Sequence, residues 1–246
     1  MPYFLSGLVF CLIISLKAAE PPLPVAERVE LLARLGAQRS ALDLAVTKAP
    51  SDPALYSRRG DCLLFLGRFP EAVADFEKMI ALDPALDAPH WRLGIAYYFN
   101  GQFAKSARQF EKYHDYDGRD RENGVWKFLG DVKVSGVEQA RSAMLSYTRF
   151  DREPFPALYE LLAGKGTTED FLRELKARRG GDQPAAVFFA HYYAGLHEEI
   201  LGHHEKALAL MRVAVASAWG RTAEGGPAYM WQVSRVHYDW LAAAKP

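Results

Sequence analysis

Between residues 53 and 118 apolar side chains recur at helical spacing, first as Leu63, Leu66, Val73, Phe76 and Ile80, then as Leu93, Tyr97, Ala107 and Phe110. The special positions keep step with them. Gly60 returns as Gly94, Gly67 as Gly101, Phe69 as Phe103, Phe76 as Phe110, Glu77-Lys78 as Glu111-Lys112 and Asp83 as Asp117, at a constant offset of 34 residues, with Ala72 returning as Ser106. The pattern predicts one helical hairpin written twice. Gly60 and Gly94 fall mid-helix, where Gly is about 0.5–1 kcal/mol less favourable than Ala, so each predicts a close crossing with a neighbouring helix. Gly67 and Gly101 end the first helices, Phe69 and Phe103 cover the turns, and small Ala72 and Ser106 let the second helix approach the first. Each hairpin has two faces to bury and so needs neighbours on both sides.

Beyond these repeats, at 53–86 and 87–120, the pattern weakens. Residues 25–35 and 40–48 read as two helices of a degenerate hairpin spanning 25–50. A further degenerate unit covers 121–148, where Trp126, Leu129 and Gly130 imitate a first helix and Ser135-Gly136-Val137-Glu138 turns the chain early. The superhelix is expected to change direction there. Residues 154–179 hold two non-repeat helices, with Pro154 and Pro156 in the first turn of one, Thr168 capping the other and Gly180-Gly181 ending it. Gly195, Gly202, Ala207 and Met211 then restore the spacing of Gly60, Gly67, Ala72 and Phe76, which makes 185–217 a late repeat. A Gly-rich loop at 219–227 precedes a capping helix at 228–244 with Tyr229, Val233, Val236, His237 and Trp240. Hairpin and period resemble the tetratricopeptide repeat. The expected fold class is all-α, a tetratricopeptide-repeat solenoid over residues 25–246 with a shortened middle and a C-terminal cap.

That resemblance implies a concave groove lined by the first helix of each hairpin. Its positions are Ser57, Asp61 and Leu64, then Trp91, Ile95 and Tyr98, then Lys127, Asp131 and Val134, and in the late repeat Tyr192, Leu196 and Glu199. Trp91, Ile95 and Tyr98 are expected on one exposed face that grips a peptide or partner helix, or else covered as core. On the first reading Trp91→Ala with Tyr98→Ala weakens partner binding and leaves melting intact.

Composition narrows the function. The 246 residues are 50% hydrophobic and 24% charged with formal net charge +0, which offers no nucleic-acid groove and no polybasic membrane patch. Cys11 and Cys62 are the two cysteines, too few for a metal or disulfide framework. Residues 3–16 form an apolar run too short to span a bilayer, followed by Lys17-Ala18-Ala19-Glu20 and a Pro-rich linker at 20–24. Residues 1–19 therefore read as a signal peptide of an exported, periplasmic or secreted protein, with an uncleaved anchor as the second reading. Cys11 sits among bulky residues mid-segment and is not expected to be lipidated.

Candidate chemistry is sparse. His191, His197, His203 and His204 cluster with Glu198 and Glu199, but lack the His-Glu-x-x-His spacing of a metalloprotease helix. Asp120-Arg121-Glu122 and Asp151-Arg152-Glu153 are the same triplet at two helix starts, where an acid caps backbone N–H groups. No nucleophile elbow or phosphate-binding Gly loop is present in the sequence. The expectation is a non-catalytic scaffold without cofactor or metal; the alternative from another class is a metal-binding protein or enzyme using residues 191–204.

The order of parts, with His90-Trp91-Arg92-Leu93-Gly94-Ile95-Ala96-Tyr97-Tyr98, the shortened unit at Trp126 and the return at residues 192–216, resembles the NlpI-type envelope proteins. This resemblance implies a dimerising periplasmic adaptor whose protein partner is an envelope protease or peptidoglycan hydrolase, or a general assembly factor for envelope or secretion machinery. It implies no nucleic acid and no small-molecule substrate. The chain lacks that family's lipobox, and its segment at 219–227 has no counterpart in the pattern.

Overall fold

A computed structural model describes residues 21–244. The expected signal segment and Cys11 lie outside them. The described residues form thirteen α-helices and one 3-10 turn, with no strand. The first element is a correction to the sequence reading. Residues 25–48 are one continuous helix, α1 (Val25–Lys48), instead of a hairpin. Gly36 has nothing within 4 Å of where its Cβ would stand, so no neighbour demands a turn there, and Leu31, Leu35, Leu42 and Val46 bury a single stripe along the whole length.

The two clear repeats are α2 (Pro53–Phe65) with α3 (Phe69–Leu82), and α4 (Trp91–Phe99) with α5 (Phe103–Tyr116), linked by a 3-10 turn at Pro84–Leu86. Their shared residues do the same work twice. A Cβ on Gly60 would stand 2.6 Å from the Phe76 ring, and one on Gly94 would stand 2.6 Å from the Phe110 ring. Gly67 and Gly101 take φ of +74° and +72°, which only Gly adopts without strain, and reverse the chain into the second helix. Ser106 replaces Ala72 and donates to the Gly94 carbonyl at 2.8 Å, pinning the second crossing.

The glycines make opposite predictions. Gly94→Ala forces a methyl into a fully buried ring and should lower stability by about 1–3 kcal/mol. Gly36→Ala meets open space in a helix interior and should raise it by about 0.5–1 kcal/mol. Chemical unfolding of both variants checks the pair, and a neutral Gly94→Ala would mean that the crossing is looser than the geometry implies.

The chain continues as α6 (Arg121–Ser135), the short α7 (Val137–Ser142), α8 (Phe155–Leu162) and α9 (Thr168–Leu175). A Cβ on Gly130 of α6 would stand 3.1 Å from the Ala107 backbone of α5, so the shortened unit leans on its predecessor. Thr167, not Thr168, caps α9 by accepting from the Asp170 N–H, because the Thr168 hydroxyl is turned inward to Glu198. That helix ends at Leu175, ahead of the expected Gly pair.

The late repeat is α10 (Pro184–Ile200) with α11 (His204–Ala216), where a Cβ on Gly195 would meet Met211 at 2.7 Å. The expected loop at 219–227 contains a short helix, α12 (Ala218–Thr222), whose N–H of Gly220 is capped by the Ser217 hydroxyl. The last helix, α13 (Gly225–Ala243), starts three residues before the expected 228. No described helix is long and apolar enough to cross a membrane.

Candidate functional site

The groove expected from the repeats exists, but the chain's own last helix lies in it. Tyr229 of α13 packs edge-on against Trp91 and Phe65, with ring centroids 4.8 Å apart in both cases. Two turns further along, His237 is fully buried among Tyr98, Phe99 and Tyr192. Between them Arg235, 3% exposed, donates to the Phe65 carbonyl at the end of α2 and pairs with Asp239. Helix α13 is thus seated on α2, α4 and α10, and Asp239 and Arg221 reach α1 through ion pairs to Arg28 and Glu27.

This corrects the expectation of an exposed binding face. Ile95 and Leu64 are fully buried, Tyr98 is 3% exposed, and only Trp91 keeps an accessible edge. Tyr192 and Leu196 are fully buried as well. Asp61 accepts from Arg92 at 2.6 Å, while Ser57 accepts from the other arm of that guanidinium. Lys127 and Asp131 bond to each other at 2.7 Å, and Lys127 also donates to the Ala143 carbonyl, so this pair braces the turn after α7. Val134 is exposed. The capping helix was legible as an apolar stripe, but its seat in the groove was not, because the stripe does not say which surface it covers.

Charges inside the groove are paired with α13. Burial alone would raise the Glu199 carboxyl, yet His237 at 2.9 Å and Lys133 at 3.2 Å hold it down to about 2. Asp61 goes the other way, since burial outweighs Arg92 and pushes it up to about 6. The histidine-rich segment forms a separate hub. Glu198 receives the Thr168 hydroxyl, His203 Nδ1 at 2.6 Å and Lys206 at 2.8 Å, which ties α9, α10 and α11 together. The cation of this hub is Lys206, and among the described residues no group of three or more His, Cys, Asp or Glu is arranged to hold a metal.

Where α13 begins, the groove stays partly open. A cavity of about 260 Å³ remains between α4, α5, α6, α10 and the start of α13, walled by Trp91, Phe110, Trp126, Phe189 and Met230. Its polar edge comes from the two Asp-Arg-Glu triplets, which pair crosswise. Arg152 bonds Asp120 and Glu122, while Arg121 bonds Asp151 at 3.1 Å. Asp120 caps α6 as expected, whereas Asp151 does not cap the helix that follows it, α8, and instead accepts from the Arg121 N–H, the first of α6.

Glu122 also accepts from the Tyr193 hydroxyl, but burial dominates and pushes its carboxyl up to about 7. Its folded value lies above the unfolded one, so the folded state holds the proton more tightly and loses stability as pH rises from about 4.5 through 7. Glu122→Gln, which keeps the side chain's shape and one of its two acceptor oxygens, should gain about 3 kcal/mol relative to the parent as pH rises from about 4 to 8. Unfolding curves of both proteins at the two pH values measure this. A stability gap that does not move with pH would show that Glu122 titrates like a free carboxyl.

Fold and groove together define an all-α tetratricopeptide-type solenoid. The tetratricopeptide repeat family matches residues 53–86, the α2–α3 hairpin through the 3-10 turn. Such repeats generally mediate protein–protein interaction, consistent with an adaptor role.

Proposed function

We propose that this chain is a non-catalytic, exported scaffold that binds a segment of a protein partner at the aromatic cavity beside the start of α13. The observation that carries the reading is the part-exposed aromatic edge formed by Trp91 and Tyr113. Beside the helix that covers Leu64, Ile95 and Tyr98, Trp91 keeps an open edge next to an apolar cavity with convergent polar groups. Export is supported by the apolar run at 3–16 with its small-residue and Pro-rich sequel. By its likeness to the NlpI-type proteins, the partner is an envelope protease or peptidoglycan hydrolase.

A photo-crosslinking residue at Tyr113, on the cavity wall, tests this against one at Leu44, exposed on α1. The expected result in envelope extract is a protease or hydrolase captured through Tyr113 and not through Leu44. Capture of secretion-machinery components would favour the assembly-factor reading, and equal capture from both positions would remove the cavity from the function.

A further inference from the structure

The cavity's two ends differ in chemistry, and the difference points to a ligand. Trp91 and Tyr113 present part-exposed aromatic surface along its length, backed by the buried rings of Phe110, Trp126 and Phe189. At the polar end, Asp120 takes both of its hydrogen bonds, from the Glu122 N–H and from Arg152, on Oδ1. Oδ2 has no partner among the described residues. Asn123 is 6% exposed, lines the same cavity and likewise makes no side-chain hydrogen bond among them, which leaves its amide free for a group that enters the cavity.

The titratable groups at this end are the carboxyls of Asp120 and Glu122 and the guanidinium of Arg152; above pH of about 7, where Glu122 is ionised, the balance is negative and an anion would be repelled. The site also contains its own precedent. Arg152 lies 4.3 Å from the Phe155 ring centroid and 5.7 Å from that of Phe189 while bonding Asp120 and Glu122, a guanidinium held by flat rings and carboxylates. The cavity offers a similar combination, with the open edge of Trp91 and the free Oδ2 of Asp120.

We propose that the cavity receives the guanidinium of an arginine side chain from the partner segment, stacked on the open edge of Trp91 and bonded to Asp120 Oδ2 and the Asn123 carbonyl. This rests on the scaffold reading above. Arginine suits the slot because its planar cation stacks on aromatic faces and carries several donors in one plane, which a lysine ammonium does not.

The test uses N-acetylated, amidated glycine pentapeptides with arginine, citrulline or tryptophan at the centre, titrated into ¹⁵N-labelled protein and followed at the indole N–H signals. The arginine peptide is expected to move the Trp91 and Trp126 signals with a Kd on the order of 1 mM, as suits a ligand of this size, and to leave exposed Trp240 unmoved. Citrulline, the same shape without charge, should bind about tenfold more weakly. Asp120→Asn should erase that difference, and since Asn caps a helix as well as Asp does, α6 is kept. The peptide comparison on the parent protein stands even if the variant melts early. Equal binding of arginine and citrulline, or tightest binding of tryptophan, overturns the arginine assignment and leaves the peptide-binding cavity standing. No shift with any of the three overturns both.

Discussion

Tyr98→Ala should lower the stability of this chain by about 3–5 kcal/mol, the range for deleting a large buried aromatic side chain. On the groove reading of the sequence alone, the same change would only have weakened a partner. The structure moves it from binding to folding. Tyr98 is 3% exposed and packs against Phe103, Trp126 and His237, with ring centroids 5.3, 5.5 and 6.2 Å away. Its loss would leave a void at the point where α4, α6 and α13 meet, too enclosed for neighbouring side chains to fill. Its hydroxyl is buried with no hydrogen-bond partner among the described residues, and burial drives the phenol's pKa far above its ordinary value. Tyr98→Phe, which removes only that hydroxyl, should therefore be as stable as the parent or more so. Trp91→Ala should lie between the two, because one edge of Trp91 already faces the cavity. Urea unfolding of the three variants orders them. An unchanged midpoint for Tyr98→Ala would restore the open groove.

What was legible in the sequence, and what was not, divides along the range of the interactions. Gly60, Gly94 and Gly195 announced close crossings because a mid-helix Gly has few other reasons to exist, and each now faces the side chain of Phe76, Phe110 or Met211. Those are contacts within one hairpin, repeated at one period. The break predicted at 36–39 failed because Gly36 is conspicuous in sequence but touches nothing in space. The duplicated Asp-Arg-Glu triplet was visible as two caps. That Arg152 reaches Asp120 and Arg121 reaches Asp151 depends on α8 returning beside α6, which no local pattern encodes. The same holds for His237. Its place in an apolar stripe could be read, but its pairing with Glu199 across the groove could not.

Removing α13 by ending the chain at Glu224 should abolish cooperative unfolding and expose apolar surface that binds a hydrophobic dye. The helix buries Tyr229, Met230, Trp231, Val233, Val236 and Leu241, at about 1.5–3 kcal/mol for a fully buried large apolar side chain. Those contributions together, about 9–18 kcal/mol, match the about 5–15 kcal/mol by which an ordinary domain is stable. The truncation also strands groups on the other side. Glu199 loses His237 and keeps only Lys133, the Phe65 carbonyl loses Arg235, and Arg28 loses Asp239, while the rings of Tyr98 and Tyr192 are bared to water. In a solenoid this is the expected cost of an uncapped concave face, since each hairpin is stabilised by its neighbours more than by itself. A synthetic peptide of residues 225–246 added in trans should restore part of the helical signal and suppress dye binding, because the groove is already shaped to a helix of that sequence. His237→Ala in the peptide should weaken the rescue, as it leaves Glu199 buried without its partner. If the truncated chain instead melts cooperatively at the parent's temperature, α13 is a removable occupant, and the face beneath it becomes the first candidate for the partner's seat.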